Sequence, residues 1–181
     1  MTSPPPPSKH SSRPSSKQWY AVHLRSNQER STATFLEDRG VELFMPTYRV
    51  QSRRRDRDLV LSAPLFAGYI FVQLDLQSPD RIQVLKAPGV VRLVGFGDQA
   101  TPIDDEVIDS LKILVGTGNE VRPHPLIKAG NQVEVTAGPF AGAIGKLHEA
   151  EGRPKLIVEI EFLGRAVAVE IDAQQVRPAF S

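Results

Sequence analysis

Hydrophobic positions along the chain fall into short runs of two different periods. Residues 19–24 (WYAVHL) form a nearly unbroken apolar run of strand length, and 68–74 (GYIFVQL) form the strongest strand signal of the first half. Between them, Ala33 and Leu36 mark a helical stripe. It opens at Ser26, where Ser26 and Glu29 have capping-box spacing, and stops at Gly40. Val41 to Met45 predicts a short strand closed by Pro46. Tyr48 to Val50 and Leu59 to Leu61 predict the arms of a hairpin whose polar tip is 52–58. Ser78 caps a short helix with Pro79 at its first position, Pro88-Gly89 ends it, and Val90 to Phe96 returns as a strand. Val107, Ile108, Leu111, Leu114 and Val115 then fall on one helical face behind Asp104, a good N-cap. Asp105 and Glu106 suit the positive end of that helix, and Gly116 ends it.

Past Gly116 the period changes. Residues 117–126 are rich in Gly and Pro and read as a linker. Beyond them Val133 and Val135, then Leu156, Val158, Ile160 and Phe162, then Val167, Val169 and Ile171 alternate with other residues at period two. The pattern predicts an α+β chain. Residues 1–17 would be a tail. Residues 18–116 would form an antiparallel sheet with helices on one face, and 127–181 a small SH3-like β-barrel of about five short strands.

Strand parity adds one anomaly. If Ile70, Val72 and Leu74 face the helices, Tyr69 and Phe71 face away, with Phe66 just before them and His23 on the same parity of the first strand. An aromatic second face needs a cover. The second domain or the hairpin could supply it, or a partner could dock there on aromatic anchors.

Composition narrows the function. Of 181 residues, 22 are Lys or Arg and 21 Asp or Glu, so adhesion to nucleic acid must come from a local patch rather than from bulk charge. One such patch is the stretch Arg49, Arg53, Arg54, Arg55 and Arg57, interleaved with Asp56 and Asp58. It could grip phosphates on a hairpin tip or simply stay solvated. Cysteine is absent, which excludes disulfide scaffolds, zinc fingers and thiol nucleophiles and fits a cytoplasmic location. No apolar run reaches the ~20 residues of a membrane helix. Residues 1–17, with Pro4 to Pro7, Lys9, Arg13 and Lys17, predict a disordered basic tail rather than a signal peptide. His10, His23, His124 and His148 lack ligand or triad spacing and no phosphate-binding glycine motif appears, so neither an enzyme nor a metal or cofactor site is expected.

The segment Gly130 to Gly145 (GNQVEVTAGPFAGAIG), extended to Leu147, resembles a KOW motif. In it Gly138-Pro139 makes a tight turn, Phe140 plugs the barrel end, and Gly142 and Gly145 permit unusual angles and close approach. Trp19-Tyr20, Ser26 to Glu29, Gly40, Pro46 and Pro64 to Val72 (PLFAGYIFV) resemble the N-terminal (NGN) domain of the NusG family. Phe162-Leu163-Gly164-Arg165 followed by Val169-Glu170-Ile171 resembles the end of the NusG C-terminal domain. The match runs in order from Trp19 to Pro178. Ala67 departs from it, standing where the family usually has Pro. The Leu-Phe-x-Gly-Tyr-x-Phe-Val form and the short hairpin resemble the specialised paralogues, RfaH and the antiterminators of polysaccharide operons.

The resemblance implies a transcription elongation and antitermination factor. An apolar pocket of His23, Phe66, Tyr69, Phe71 and Phe96 would bind the β′ clamp helices of RNA polymerase and favour processive elongation. Asp80, Arg81, Ile82 and Gln83 would contact the gate loop. Arg25, Gln28 and Arg30 on the first helix, with Arg39 nearby, would approach non-template DNA, joined by Arg53, Arg54 and Arg55. Phe162, Leu163, Gly164 and Arg165 would hold a ribosomal protein or Rho, with Leu163 as the anchor at an exposed turn. The molecule would be a monomer. RfaH's C-terminal domain switches between helical hairpin and barrel; strict alternation through Val158, Ile160, Val167 and Val169 predicts strands throughout here. The competing reading is a ribosome- or RNA-binding KOW protein, which leaves the aromatic face unused.

Overall fold

A computed structural model describes residues 17–51, 60–127 and 130–179. The first half contains β1 (Gln18–Leu24), α1 (Glu29–Glu37), β2 (Glu42–Phe44), the paired β3 (Thr47–Gln51) and β4 (Val60–Pro64), and β5 (Tyr69–Leu74). It continues with α2 (Asp80–Lys86), β6 (Val90–Leu93), the small hairpin β7 (Gly95–Phe96) and β8 (Gln99–Ala100), β9 (Pro102–Ile103) and α3 (Asp105–Gly116). Its antiparallel sheet runs β2-β5-β1-β6, and β9 also pairs with β1. Tyr20 lies opposite Val72 and Val22 opposite Ile70. Those residues, with Leu24 and Leu74, form a core with Leu36 of α1 and Val84 of α2.

The expected one-sided cover is corrected here. Helices flank both faces. Trp19, Ala21 and Phe71, on the other parity, share a core with Ile108, Leu111 and Leu114 of α3. That core also takes in Val133, Val135, Leu156, Val158 and Val169 from the second half, so α3 is a middle layer. The sequence of α3 explains this. Ile113 lies off the Ile108–Leu111–Leu114 stripe and is partly buried in the same core, and Ser110 is 1% exposed. A helix apolar on more than one side must be covered on more than one side.

The helix starts differ from expectation too. Asn27 has a left-handed φ of 61°, which places Gln28 at the N-cap with no side-chain cap bond. The Ser26–Glu29 capping box does not form; Glu29 turns inward instead, 7% exposed. Ser78 does not cap α2, since its Oγ is buried without a partner among the described residues and Pro79 holds the N-cap. Asp104 does hold the N-cap position of α3, though its side chain makes no cap bond. Gly40 closes α1 with φ 75°. Val41 N–H donates to Leu36 O and Gly40 N–H to Glu37 O, while the buried Leu36 and Val41 side chains meet below, the pattern of a Schellman stop.

The second half is a six-stranded antiparallel sheet: β10 (Arg122–His124), β11 (Asn131–Val135), β12 (Ile144–Ala150), β13 (Arg153–Ile160), β14 (Arg165–Glu170) and β15 (Val176–Pro178), in the order β10-β14-β13-β12-β11-β15. The small barrel expected here is not seen to close: among the described residues β10 and β15, the ends of the strand order, do not pair with each other. Each end strand carries a proline, Pro123 or Pro178, which removes a ladder donor and suits an edge. The alternation places Leu156, Val158 and Ile160 in the main core. Ile157 is equally buried on the opposite face, against Ala166, Ala168 and Ile127. At Gly145 a Cβ would stand 2.5 Å from Ile157 O, so β12 and β13 approach this closely only because the residue is glycine.

Candidate functional site

The turn before β5 sets the candidate site. Gly68 has φ 83°, and its N–H donates to Glu29 Oε1 at 2.8 Å, tying the turn to the first residue of α1. Leu24 N–H donates to Gly68 O, Leu65 N–H to Pro46 O, and Tyr69 N–H back to Phe66 O. Phe66 and Tyr69 therefore sit in a turn held from three sides. His23 lies directly across from Tyr69, and their rings stack 5.3 Å apart at 29°. Both are half-buried. Phe66 packs edge-on against Phe71 at 5.2 Å, and Phe44 tilts against Phe71 at 6.3 Å.

Five residues were expected to form an apolar pocket, and the structure divides them. Phe66 and Phe71 are 2% and 0% exposed, sealed in the core that α3 shares with both sheets. His23 and Tyr69 keep one side to solvent, while Phe96, on the β7–β8 hairpin, is 74% exposed. Of the two covers that strand parity left open, the chain itself supplies the one over Phe66 and Phe71, from α3 and the second half. Phe66 and Phe71 lie beneath the surface because α3, read as a one-sided helix, covers that face. A cleft of about 390 Å³ beside Phe66 has Tyr48, Leu65 and Ala67 on one side and His124, Gly164 and Arg165 on the other.

The remaining expected residues are dispersed. Arg81, Ile82 and Gln83 are exposed on the first turn of α2, with Asp80 half-buried; α2 packs on the sheet face opposite the His23–Tyr69 stack. Arg25 and Arg30 are exposed beside the half-buried Gln28. Arg30 donates to Ser62 O, which ties α1 to β4, and Arg39 stacks 3.5 Å over the Phe35 ring. Gly89 seats Gln28, since a Cβ there would stand 2.6 Å from Gln28 Cβ. Arg53, Arg54 and Arg55 lie outside the described residues.

In the second half, Glu161–Leu163 form a 3-10 turn ended by Gly164 at φ 64°. Gly164 and Arg165 are exposed; Phe162 and Leu163 are half-buried against the main core, so Leu163 projects less than an exposed turn implies. Two side chains that tie elements together escaped sequence reasoning. Glu29 was read as a cap, and Ser110, a lone hydroxyl in an apolar run, was not singled out. Its Oγ accepts from Ile144 N–H at 2.9 Å and joins α3 to the second sheet. Among the described residues no group of three or more His, Cys, Asp or Glu could hold a metal, and no helix is long and apolar enough to cross a membrane.

A family model described as transcription termination factor nusG matches residues 17–112. The transcription termination/antitermination protein NusG of Thermus thermophilus is 32% identical over 180 residues, covering 88% of this chain and 97% of its own. The NusG of Escherichia coli is 31% identical over 175 residues, covering 90% and 97%. A solved structure described as domain interaction in Thermotoga maritima NusG aligns over 90% of this chain and 97% of its own, at 23% identity and a TM-score of 0.49.

Proposed function

Because the chain belongs to the NusG family of transcription termination and antitermination proteins, we propose that it seats on the β′ clamp helices of RNA polymerase and favours the processive enzyme. The observation that carries this reading is the His23–Tyr69 stack, half-open to solvent and buttressed from below by the Phe66–Phe71 pair. Aromatic side chains held rigidly with one side open make effective anchors, because little conformational freedom is left to lose on binding. Phe96 adds an exposed apolar contact beyond β6.

The other surfaces take subordinate roles in the same reading. Asp80, Arg81, Ile82 and Gln83 meet the gate loop. Arg25, Gln28 and Arg30, with Arg53, Arg54 and Arg55, approach the non-template strand. Phe162 to Arg165 recruit a further protein, either a ribosomal protein or Rho. The chain works as a cytoplasmic monomer, needs no cofactor and catalyses no reaction.

Pull-down of core RNA polymerase by the full chain tests the seat. The wild type is expected to bind. Tyr69→Ala should weaken binding roughly thirtyfold, the scale of an interface hot spot of about 2 kcal/mol. Circular dichroism checks that the half-buried substitution leaves the fold intact. A wild-type chain that ignores polymerase, or a folded Tyr69→Ala variant of unchanged affinity, overturns the reading.

A further inference from the structure

The register of the first sheet places a cation level with the aromatic stack. His23 lies opposite Tyr69 of β5 on one side and opposite Arg92 of β6 on the other. Residues directly opposed in an antiparallel pair point to the same face, with Cβ atoms about 5 Å apart. Arg92, His23 and Tyr69 therefore form one row across three strands. Val90 and Leu93 fix the side independently, since both pack into the core of the other face, with Leu36 of α1 and Val84 of α2. They share that face because β6 is bulged. Leu93 lies opposite Val22 but Val90 opposite Leu24, so Val91 is the extra residue, and it is left 51% exposed beside Arg92. Trp19 and Ala21, which precede His23 on the same parity, are sealed in the core that α3 shares. His23 is half-buried and Arg92 exposed, so this row is where the face opens to solvent. Among the described residues β6 ends the strand order, and Arg92 makes no ion pair. By contrast, Arg122, Arg153 and Arg177 each hold a glutamate, and Arg30 holds Ser62 O.

We propose that Arg92 sets the specificity of the polymerase seat by receiving a carboxylate that the partner carries beside the surface gripped by His23 and Tyr69. The proposal rests on the polymerase reading above and adds the chemistry of the partner at one contact. The surroundings select a protein carboxylate over a nucleic-acid phosphate. A phosphate backbone is held by several cations in series, whereas this row offers one guanidinium flanked by Val91, an imidazole and a phenol. A planar guanidinium takes a carboxylate through two parallel hydrogen bonds, which fixes orientation as well as charge. The stacked rings supply contact area, and Arg92 supplies choice. A partner with a lysine or arginine at that place meets like charge and is turned away. An exposed charge on an edge strand can also serve only to deter edge-to-edge association, so the test includes that outcome.

Affinity of the full chain for nucleic-acid-free core RNA polymerase, measured by biolayer interferometry at low and high salt, tests the proposal. Arg92→Gln is expected to weaken binding roughly tenfold, the scale of one charged hydrogen-bonded pair, and Arg92→Glu further. Arg92→Lys, which keeps the charge and loses the fork, should fall between the wild type and Arg92→Gln. The loss in Arg92→Gln should shrink at high salt. Arg92 is exposed, so Trp19 fluorescence and the melting temperature of each variant should match the wild type. Unchanged affinity of Arg92→Gln, alongside a wild type that binds and a Tyr69→Ala variant that is weakened, overturns the role of Arg92 and leaves the seat standing. If that variant instead self-associates in light scattering, Arg92 is an edge guard. A defect seen only on polymerase carrying DNA assigns Arg92 to phosphate and overturns the carboxylate contact. A wild type that ignores polymerase removes both the seat and the selector.

Discussion

Glu29 shows how much one side chain can position. It stands at the first residue of α1, where a carboxylate suits the helix dipole, yet it spends an oxygen on the N–H of Gly68, 39 residues on. That bond fixes the turn presenting Phe66 and Tyr69. Glu29→Ala leaves a part-buried N–H without its partner, and is expected to lower stability by about 1–3 kcal/mol in urea denaturation while disturbing the Tyr69 ring environment. Gly145 illustrates the opposite constraint, in which the absence of a side chain is what matters. A methyl group there would collide with Ile157 O at 2.5 Å, and backbone cannot step aside as a flexible side chain can. Gly145→Ala should therefore cost roughly 1–3 kcal/mol and weaken amide protection in β12 and β13, read by hydrogen exchange. The close approach allowed by Gly145 was legible in the sequence. The inward turn of Glu29 was not, because Ser26 and Glu29 also fit a local cap and only the fold brings Gly68 within reach.

At the scale of elements, α3 carries the most weight. It separates the two sheets, packs against β12 and β13, and contributes Ile108, Leu111 and Leu114 to the shared core, all 0% exposed. Leu111→Ala opens a cavity at this junction and should destabilise the chain by about 2–5 kcal/mol. The loss should register in both halves at once, as coincident shifted transitions in Trp19 fluorescence for the first half and amide exchange of β13 for the second. Ser110→Ala is a gentler probe. It leaves Ile144 N–H without its acceptor, so the expected loss is about 1–3 kcal/mol with faster amide exchange at Ile144. The helix itself, its Asp104 start and its apolar stripe were readable from spacing. Its two-sided burial was not, because a periodic stripe reports which side is apolar and leaves open how many layers meet it. Open edges in the second sheet have the same origin: alternation identifies strands, whereas closure depends on where Pro123 and Pro178 fall in the ladder.

For the whole molecule, pH reads out the ion pair that Lys146 makes with Glu159 across β12 and β13. The hydrogen bond to Glu159, helped by the charges of Glu159 and Glu161 and opposed by burial, raises the Lys146 ammonium above its ordinary value. A lysine whose folded value exceeds its unfolded value stabilises the fold fully below the unfolded value, and the contribution is lost as pH rises through the folded one. The difference in unfolding free energy between the wild type and Lys146→Met should therefore stay constant at neutral pH and shrink above about pH 10. A difference that stays unchanged as the pH rises through the lysine range would overturn this.

Sequence alone determined the three helices, the strands that carry period-two or unbroken apolar runs, the parity that separates Tyr69 and Phe71 from Ile70 and Val72, and the motifs that resemble NusG. Each of these rests on neighbours close along the chain, where spacing, turn chemistry and residue type suffice. Tertiary structure decided which aromatic residues remain open to solvent, which side of the sheet α3 covers, and that Arg92 stands opposite His23. These depend on surfaces brought together across long stretches of chain, where burial and hydrogen-bond supply are set by the packing of layers and not by local pattern.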